Sequence, residues 1–93
     1  TFEPVDNEAF PCLQLARDAA AAGGTAPCVL NAANEIAVHA FLEGELPFLG
    51  IAEVIEQTLA ALPERPVRHF SDLYAADAEA RDHARDLCQG APA

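Results

Sequence analysis

Alanine is the commonest residue of this 93-residue chain, and Trp and Met are absent. That preference for small side chains narrows the folds open to it. A buried methyl-sized group contributes only about 0.8 kcal/mol, so a core built of alanine holds together only where backbones approach closely. Helices faced with alanine can meet in that way. Sheets are packed instead by branched and aromatic side chains, and alanine is depleted from them. With an apolar fraction of 52%, the chain is expected to form one all-α domain. At this length, folding removes roughly 60–65% of the unfolded surface from water, enough for one modest core.

Charge restricts the partners. The formal net charge is −10, with only five Lys and Arg, so a phosphate backbone or an anionic membrane would be repelled by most of this surface. Nucleic acid and membrane are therefore not expected partners. No apolar run approaches the roughly 18–20 residues needed to span a bilayer. The opening residues also lack the basic-then-apolar order of a secretion signal, and the expected location is cytoplasmic. Cys12, Cys28 and Cys88 are far apart and include no Cys-x-x-Cys pair. They read as thiols packed like small hydrophobes. Thr1 and the extended opening "TFEPVD" suggest a piece of a longer polypeptide, with residues 1–10 as an extended lead-in.

Four helices can be placed by periodicity. Cys12, Leu15, Ala16, Ala19 and Ala20 recur at helical spacing, after Pro11 in the first turn and before a stop at Gly23-Gly24. Thr25 is the expected cap of a second helix that runs to about Leu42, with Gly44 as its stop. Val29, Ala33, Ile36, Ala37 and Ala40 form its broad apolar face. The third helix carries the stripe Ile51, Val54, Ile55, Thr58, Leu59 and Leu62 and ends before Pro63. The proline-spaced, locally basic stretch "PERPVRHF" is expected to be extended. Ser71 is the expected cap of the fourth helix, with Asp72 in its first turn, an inward stripe of Leu73, Ala76, Ala80, Ala84 and Leu87, and a favourable Asp77–Arg81 pair. "CQGAPA" reads as a frayed tail, residues 89–93 of a single helical domain that spans 1–93. Short connections between these helices imply an antiparallel, four-helix bundle-like domain.

Little of this pattern carries chemistry. Gly23-Gly24 lies between two helices, where a double glycine closes a helix more readily than it cradles a phosphate. No Gly-x-Ser-x-Gly elbow is present. Glu35 with His39, and Glu79 with His83, each place a carboxylate and an imidazole one turn apart. Helical di-iron sites use Glu-x-x-His, spaced by three, whereas both spacings here are four. Glu79 and His83 also lie among Arg81, Asp82 and Arg85, the pattern of a solvated face. His69, beside Arg65 and Arg68, reads as a surface residue.

There remain Asn31, Asn34 and Glu35, clustered within the apolar segment "VLNAANEIAV". Polar groups on such a helix must find hydrogen-bond partners, since a buried unpaired one costs about 1–3 kcal/mol. Either a bond network inside the bundle or a contact to another domain would provide them. Asparagine has no proton to exchange near neutral pH, which argues against acid–base catalysis.

The stretches "FEPVD", "FPCLQLARDA", "GG-x-x-P-x-VLNAANE-x-AV-x-AFL" and "AADAEAR" resemble, in order, the C-terminal helical domain of 1-deoxy-D-xylulose 5-phosphate reductoisomerase. The resemblance extends from Phe2 to about Ala84. It implies a parent enzyme of non-mevalonate isoprenoid synthesis, homodimeric and cytoplasmic, that uses NADPH and a divalent cation, Mg or Mn. It also implies a central catalytic domain, carried by the same parent chain, as this domain's partner. None of that family's metal-ligand or cofactor motifs occurs here. No catalytic, cofactor-binding or metal residue is therefore assigned, and the fragment alone is expected to be inactive. Asn31, Asn34 and Glu35 are the candidate interdomain contacts. Two departures stand out: Leu49-Gly50 takes the place of a Thr-Asp cap before the third helix, and His39 occupies a position that is often small. A helical protein-binding module, or a metal-binding bundle, is the alternative reading of the residues alone.

Overall fold

The computed structural model describes residues 11–89. Four helices make up this segment: α1 (Pro11–Ala22), α2 (Ala26–Leu42), α3 (Phe48–Ala61) and α4 (Phe70–Gln89), with no strand among the described residues. The all-α expectation holds. The expected lead-in 1–10 and the last residues of the tail lie outside the described segment. Cys88 and Gln89 are still helical.

Helix α2 is the central element and packs against each of the other three, whereas the backbones of α1 and α4 do not approach closely among the described residues. The Cys28 thiol reaches the Leu73 carbonyl at 3.4 Å, and Glu35 pairs with Arg81. α2 and α4 therefore run side by side in the same sense, with α3, which lies between them in the chain, packed against both. The result is a slab of 41 × 39 × 18 Å rather than a cylinder.

The core follows from the small residues. Val29, Ala32, Ala76 and Ala80 form one cluster between α2 and α4. Ala33, Ala37, Ile51, Val54, Ile55 and Ala84 form another, which brings in α3. Ala32, Ala33, Ala37, Ala80 and Ala84 are wholly buried. Ile55 and Val29 are the largest fully enclosed apolar side chains, each contributing about 1.5–3 kcal/mol on burial. Thr58 is also enclosed, and its hydroxyl donates to the Val54 carbonyl at 2.7 Å, which satisfies it inside its own helix. Cys12 and Cys88 pack against the larger cluster and Cys28 against the smaller. Burial raises all three thiol pKa values, which favours the protonated form.

The helix ends differ from the sequence reading in three places. Thr25 stands before α2, but it has helical backbone angles and makes no side-chain cap. Its hydroxyl accepts the Arg65 N–H at 2.9 Å, while its own N–H donates to the Arg65 carbonyl at 2.9 Å. Helix α3 begins at Phe48, so Leu49 and Gly50 lie in its first turn, not before it. Gly50 is buried there, and a Cβ would come within 2.7 Å of the Leu46 side chain. Helix α4 begins at Phe70, so Ser71 is inside it, and Asp72 does the capping by accepting the Arg68 and His69 N–H groups at 2.8 and 3.0 Å. The stop at Gly44 is as expected: the Gly44 and Glu45 N–H groups close onto the Phe41 and Ala40 carbonyls, the paired bonds of a Schellman end.

The hydrogen bonds from the Arg68 and His69 N–H groups hold the Asp72 carboxyl below its ordinary pKa of 3.8. A group with a lowered folded pKa stabilises the fold above its unfolded value, and the contribution is lost as pH falls through the folded one. Asp72→Ala is therefore expected to melt below the wild type at neutral pH. The gap should close as the pH is taken below about 4, in thermal melts followed by circular dichroism. A gap that stayed constant down to about pH 2 would mean that the carboxylate does not cap α4.

Candidate functional site

The polar trio occupies the outer side of α2. Asn31, Asn34 and Glu35 are all exposed, and neither asparagine has a side-chain partner among the described residues. No buried side-chain nitrogen or oxygen lacks a partner among the described residues either, so the internal network considered for the trio does not form. Glu35 does bond within the domain, to Arg81 of α4. Arg81 is also held by Asp77 at 2.8 Å, the pair expected from their spacing. The two carboxylates, Asp77 first, raise the Arg81 pKa still further above its ordinary value, and the guanidinium remains charged at any pH the fold survives. The bridge ties the surface of α2 to that of α4 but contributes little stability, since exposed pairs are worth about 0–1 kcal/mol.

Along α4, Phe70, Tyr74, Asp77 and Arg81 follow one another at spacings of four, three and four, which places them on a single flank of the helix. Asn31, Glu35, Val38 and Leu42 do the same along α2. The Glu35–Arg81 bridge joins the two flanks into one face. Its middle is polar, and its ends are apolar: Phe70 is 80% exposed, Tyr74 75% and Leu42 73%. Val38 is half-buried. Sequence reasoning assigned no role to Phe70 or Tyr74. The signal was present, because both fall off the Leu73–Ala76–Ala80–Ala84 stripe that faces α2. A second apolar group, Phe48 with Leu49, is exposed at the start of α3, with Phe48 edge-on to Phe41 at 5.7 Å.

The carboxylates of the two Glu/His pairs are engaged by arginines, Glu35 by Arg81 and Glu79 by Arg65 at 2.9 Å. Among the described residues, no three of His, Cys, Asp and Glu come together as metal ligands. A recess of about 90 Å³ lined by Thr25, Arg65, Pro66, Asp72 and Ala75 is well below the roughly 300–1,000 Å³ of a ligand pocket. At Gly24, the Arg65 carbonyl and the Glu64 side chain lie where a Cβ would stand. No helix of the described residues is long and apolar enough to cross a membrane.

Comparison with known proteins gives one consistent result. Residues 1–83 match the family model described as DXP reductoisomerase C-terminal domain. The chain is 57% identical over 86 residues to a 1-deoxy-D-xylulose 5-phosphate reductoisomerase from Dechloromonas aromatica, covering 92% of this chain and 22% of that protein. It is 58% identical over 83 residues to one from Acidithiobacillus ferrooxidans, covering 89% of this chain and 21% of the relative. Among solved structures, the Zymomonas mobilis reductoisomerase in complex with NADPH superposes with a TM-score of 0.89 at 44% identity, over 96% of this chain and 24% of that one. The chain thus spans about a fifth of the length of the curated relatives it matches.

Proposed function

Because the chain belongs to the DXP reductoisomerase C-terminal domain family, we propose that its 93 residues form one domain that supports the catalytic part of such an enzyme. The parent rearranges 1-deoxy-D-xylulose 5-phosphate and reduces it with NADPH to 2-C-methyl-D-erythritol 4-phosphate, with Mg or Mn as the divalent cation. It works as a cytoplasmic homodimer. In this reading NADPH and the metal are held by the rest of the polypeptide. The NADPH complex of the Zymomonas mobilis relative supports the cofactor.

The observation that carries this reading is the family match across residues 1–83 of a chain only about a fifth as long as its relatives. The site is consistent with it, because Glu35 and Glu79, the carboxylates of the two Glu/His pairs, are engaged by arginines within the domain. Asn31 and Asn34, exposed and unbonded among the described residues, are the proposed polar contacts to the central domain, with Glu35 beside them. A free-standing protein-binding module is not favoured, because residues 1–83 match the C-terminal domain family.

The test is NADPH oxidation with 1-deoxy-D-xylulose 5-phosphate and Mg or Mn by the parent enzyme truncated before this segment, with and without the 93-residue chain. Activity lost on truncation and restored by the chain is the expected result. Full activity of the truncated enzyme alone would end the support role. For the polar contacts, the triple change of Asn31, Asn34 and Glu35 to alanine is expected to lower the parent's melting temperature or turnover. It should move the isolated domain by no more than about 1 kcal/mol, the scale of the single surface ion pair, Glu35–Arg81, that the change removes. No change in the parent would remove these residues from the interface.

A further inference from the structure

We propose that Phe70 and Tyr74, with Val67 and Arg68 beside them, are the anchor by which this domain docks onto the portion of the reductoisomerase polypeptide that precedes it. The inference rests on the placement of this chain within a longer reductoisomerase and names the surface that meets the rest of it.

Four observations lead to this patch. Phe70 and Tyr74 stand 80% and 75% exposed one turn apart, and Val67 is 41% exposed in the adjoining connection. Aromatic rings left in water forgo a large area of burial, and Tyr and Arg are enriched among the residues that dominate interfaces. The segment is also held in place before any partner arrives. Arg65 is bonded twice to Thr25, and the Arg68 and His69 N–H groups are fixed by Asp72. Such ordering lowers the entropy lost on docking. The patch continues along α4 into the Asp77–Arg81–Glu35 bridge and so into the face that carries Asn31. Finally, Arg68 makes no salt bridge among the described residues, in a chain with only five Lys and Arg.

The same observations select the occupant. The family model describes a C-terminal domain, and this chain covers only 22% of the Dechloromonas aromatica relative. Most of such a polypeptide therefore precedes this domain and is tethered to it. A second copy is disfavoured, because each chain carries a net charge of −10. The surface that receives the patch should be apolar at its centre, with a carboxylate opposite Arg68. The other apolar group, Phe48 and Leu49, lacks this complement. Phe48 already has a ring partner in Phe41, and the turn before it carries Glu43 and Glu45.

The experiment uses full-length reductoisomerase carrying this domain, with the photoreactive p-benzoylphenylalanine in place of Tyr74. After irradiation the adducts are sized and mapped by mass spectrometry. The expected product is an internal adduct of unchanged chain mass that joins position 74 to a peptide of the preceding portion. Adding Arg68→Glu should lower its yield by about tenfold, as a reversed charge at a complementary interface does. An adduct of doubled mass joining two copies of this domain, or no adduct at all, would overturn the proposal. Hydroxyl-radical labelling of the unsubstituted protein gives an independent reading. Phe70 and Tyr74 should be labelled at least about tenfold more slowly than free side chains, as water exclusion at an anchor requires, and labelling at the free rate would overturn the proposal. Neither measurement reads turnover. If the truncated enzyme keeps full activity while the internal adduct forms, the support role falls and the docking surface stands. If activity needs the domain but position 74 gives no adduct, the surface falls and the support role stands.

Discussion

Replacing Ala80 with leucine is expected to cost about 3 kcal/mol or more, the upper end of what overpacking a well-filled core does. Ala80 is wholly buried and packs with Val29, Ala32 and Ala76 between α2 and α4. Three added carbons can be housed only by pushing the two helices apart. That movement is opposed by the Glu35–Arg81 bridge and the Cys28–Leu73 contact, and it would open the alanine contacts on either side. A domain of this size has only about 5–10 kcal/mol of stability, so the loss would be a large fraction of the whole. Ala78→Leu is the control. Ala78 is exposed on the same helix, and leucine there should change stability by no more than about 0.5 kcal/mol. Urea unfolding followed by far-ultraviolet circular dichroism separates the two. Similar midpoints for both variants would mean that the α2–α4 gap has room that the buried alanines do not suggest.

The second large effect is expected at Gly24, where alanine should destabilise by about 2–3 kcal/mol. The residue has φ +54°, and a side chain in that left-handed region costs about 1–2 kcal/mol. A Cβ would also run into the Arg65 carbonyl oxygen and the Glu64 side chain. The Glu64 side chain can swing away. The Arg65 carbonyl is backbone, bonded to the Thr25 N–H at 2.9 Å, and moving it forfeits a hydrogen bond worth about 0.5–1.5 kcal/mol. Gly23→Ala provides the comparison, because Gly23 has φ +72° with nothing within 4 Å of its would-be Cβ. It should show the backbone penalty alone. Equal losses for the two variants in the same urea titration would mean that the 63–69 connection yields freely and is not held by Thr25.

The helix interiors were legible in the sequence because each is written locally. The stripe Ile51, Val54, Ile55 and Thr58 is buried as its spacing requires, and Ala76, Ala80 and Ala84 face inward together. The helix starts were less legible. A threonine or serine before a helix is a local signal for a cap, but Thr25 bonds instead to Arg65, 40 residues away. Ser71 is displaced by Asp72, which reaches back to two N–H groups. Helix α3 starts three residues before the stripe that identified it, because Phe48 and Leu49 are exposed and so break the inward pattern. The site was half legible. Asn31, Asn34 and Glu35 stood out as polar groups in an apolar segment, yet nothing local said that Glu35 would meet Arg81, 46 residues on, or that Phe70 and Tyr74 would lie on the same face.

The sequence by itself determined four helices, a core of small side chains and the inward stripes of α3 and α4, but not all of the inward sides of α1 and α2, where Ala20 is exposed, Ile36 half-buried and Ala32 wholly buried. Periodicity and turn residues act over one or two turns of chain, and those distances suffice to fix such features. Only the tertiary structure decided that α2 lies at the centre of a slab 18 Å thick, that α1 and α4 stay apart, and that the 63–69 connection is bonded to Thr25 and Asp72. An apolar stripe specifies that a helix must be covered but not by which neighbour. That choice is made by the fit between alanine faces far apart in the chain, together with the polar groups that the fit brings into reach.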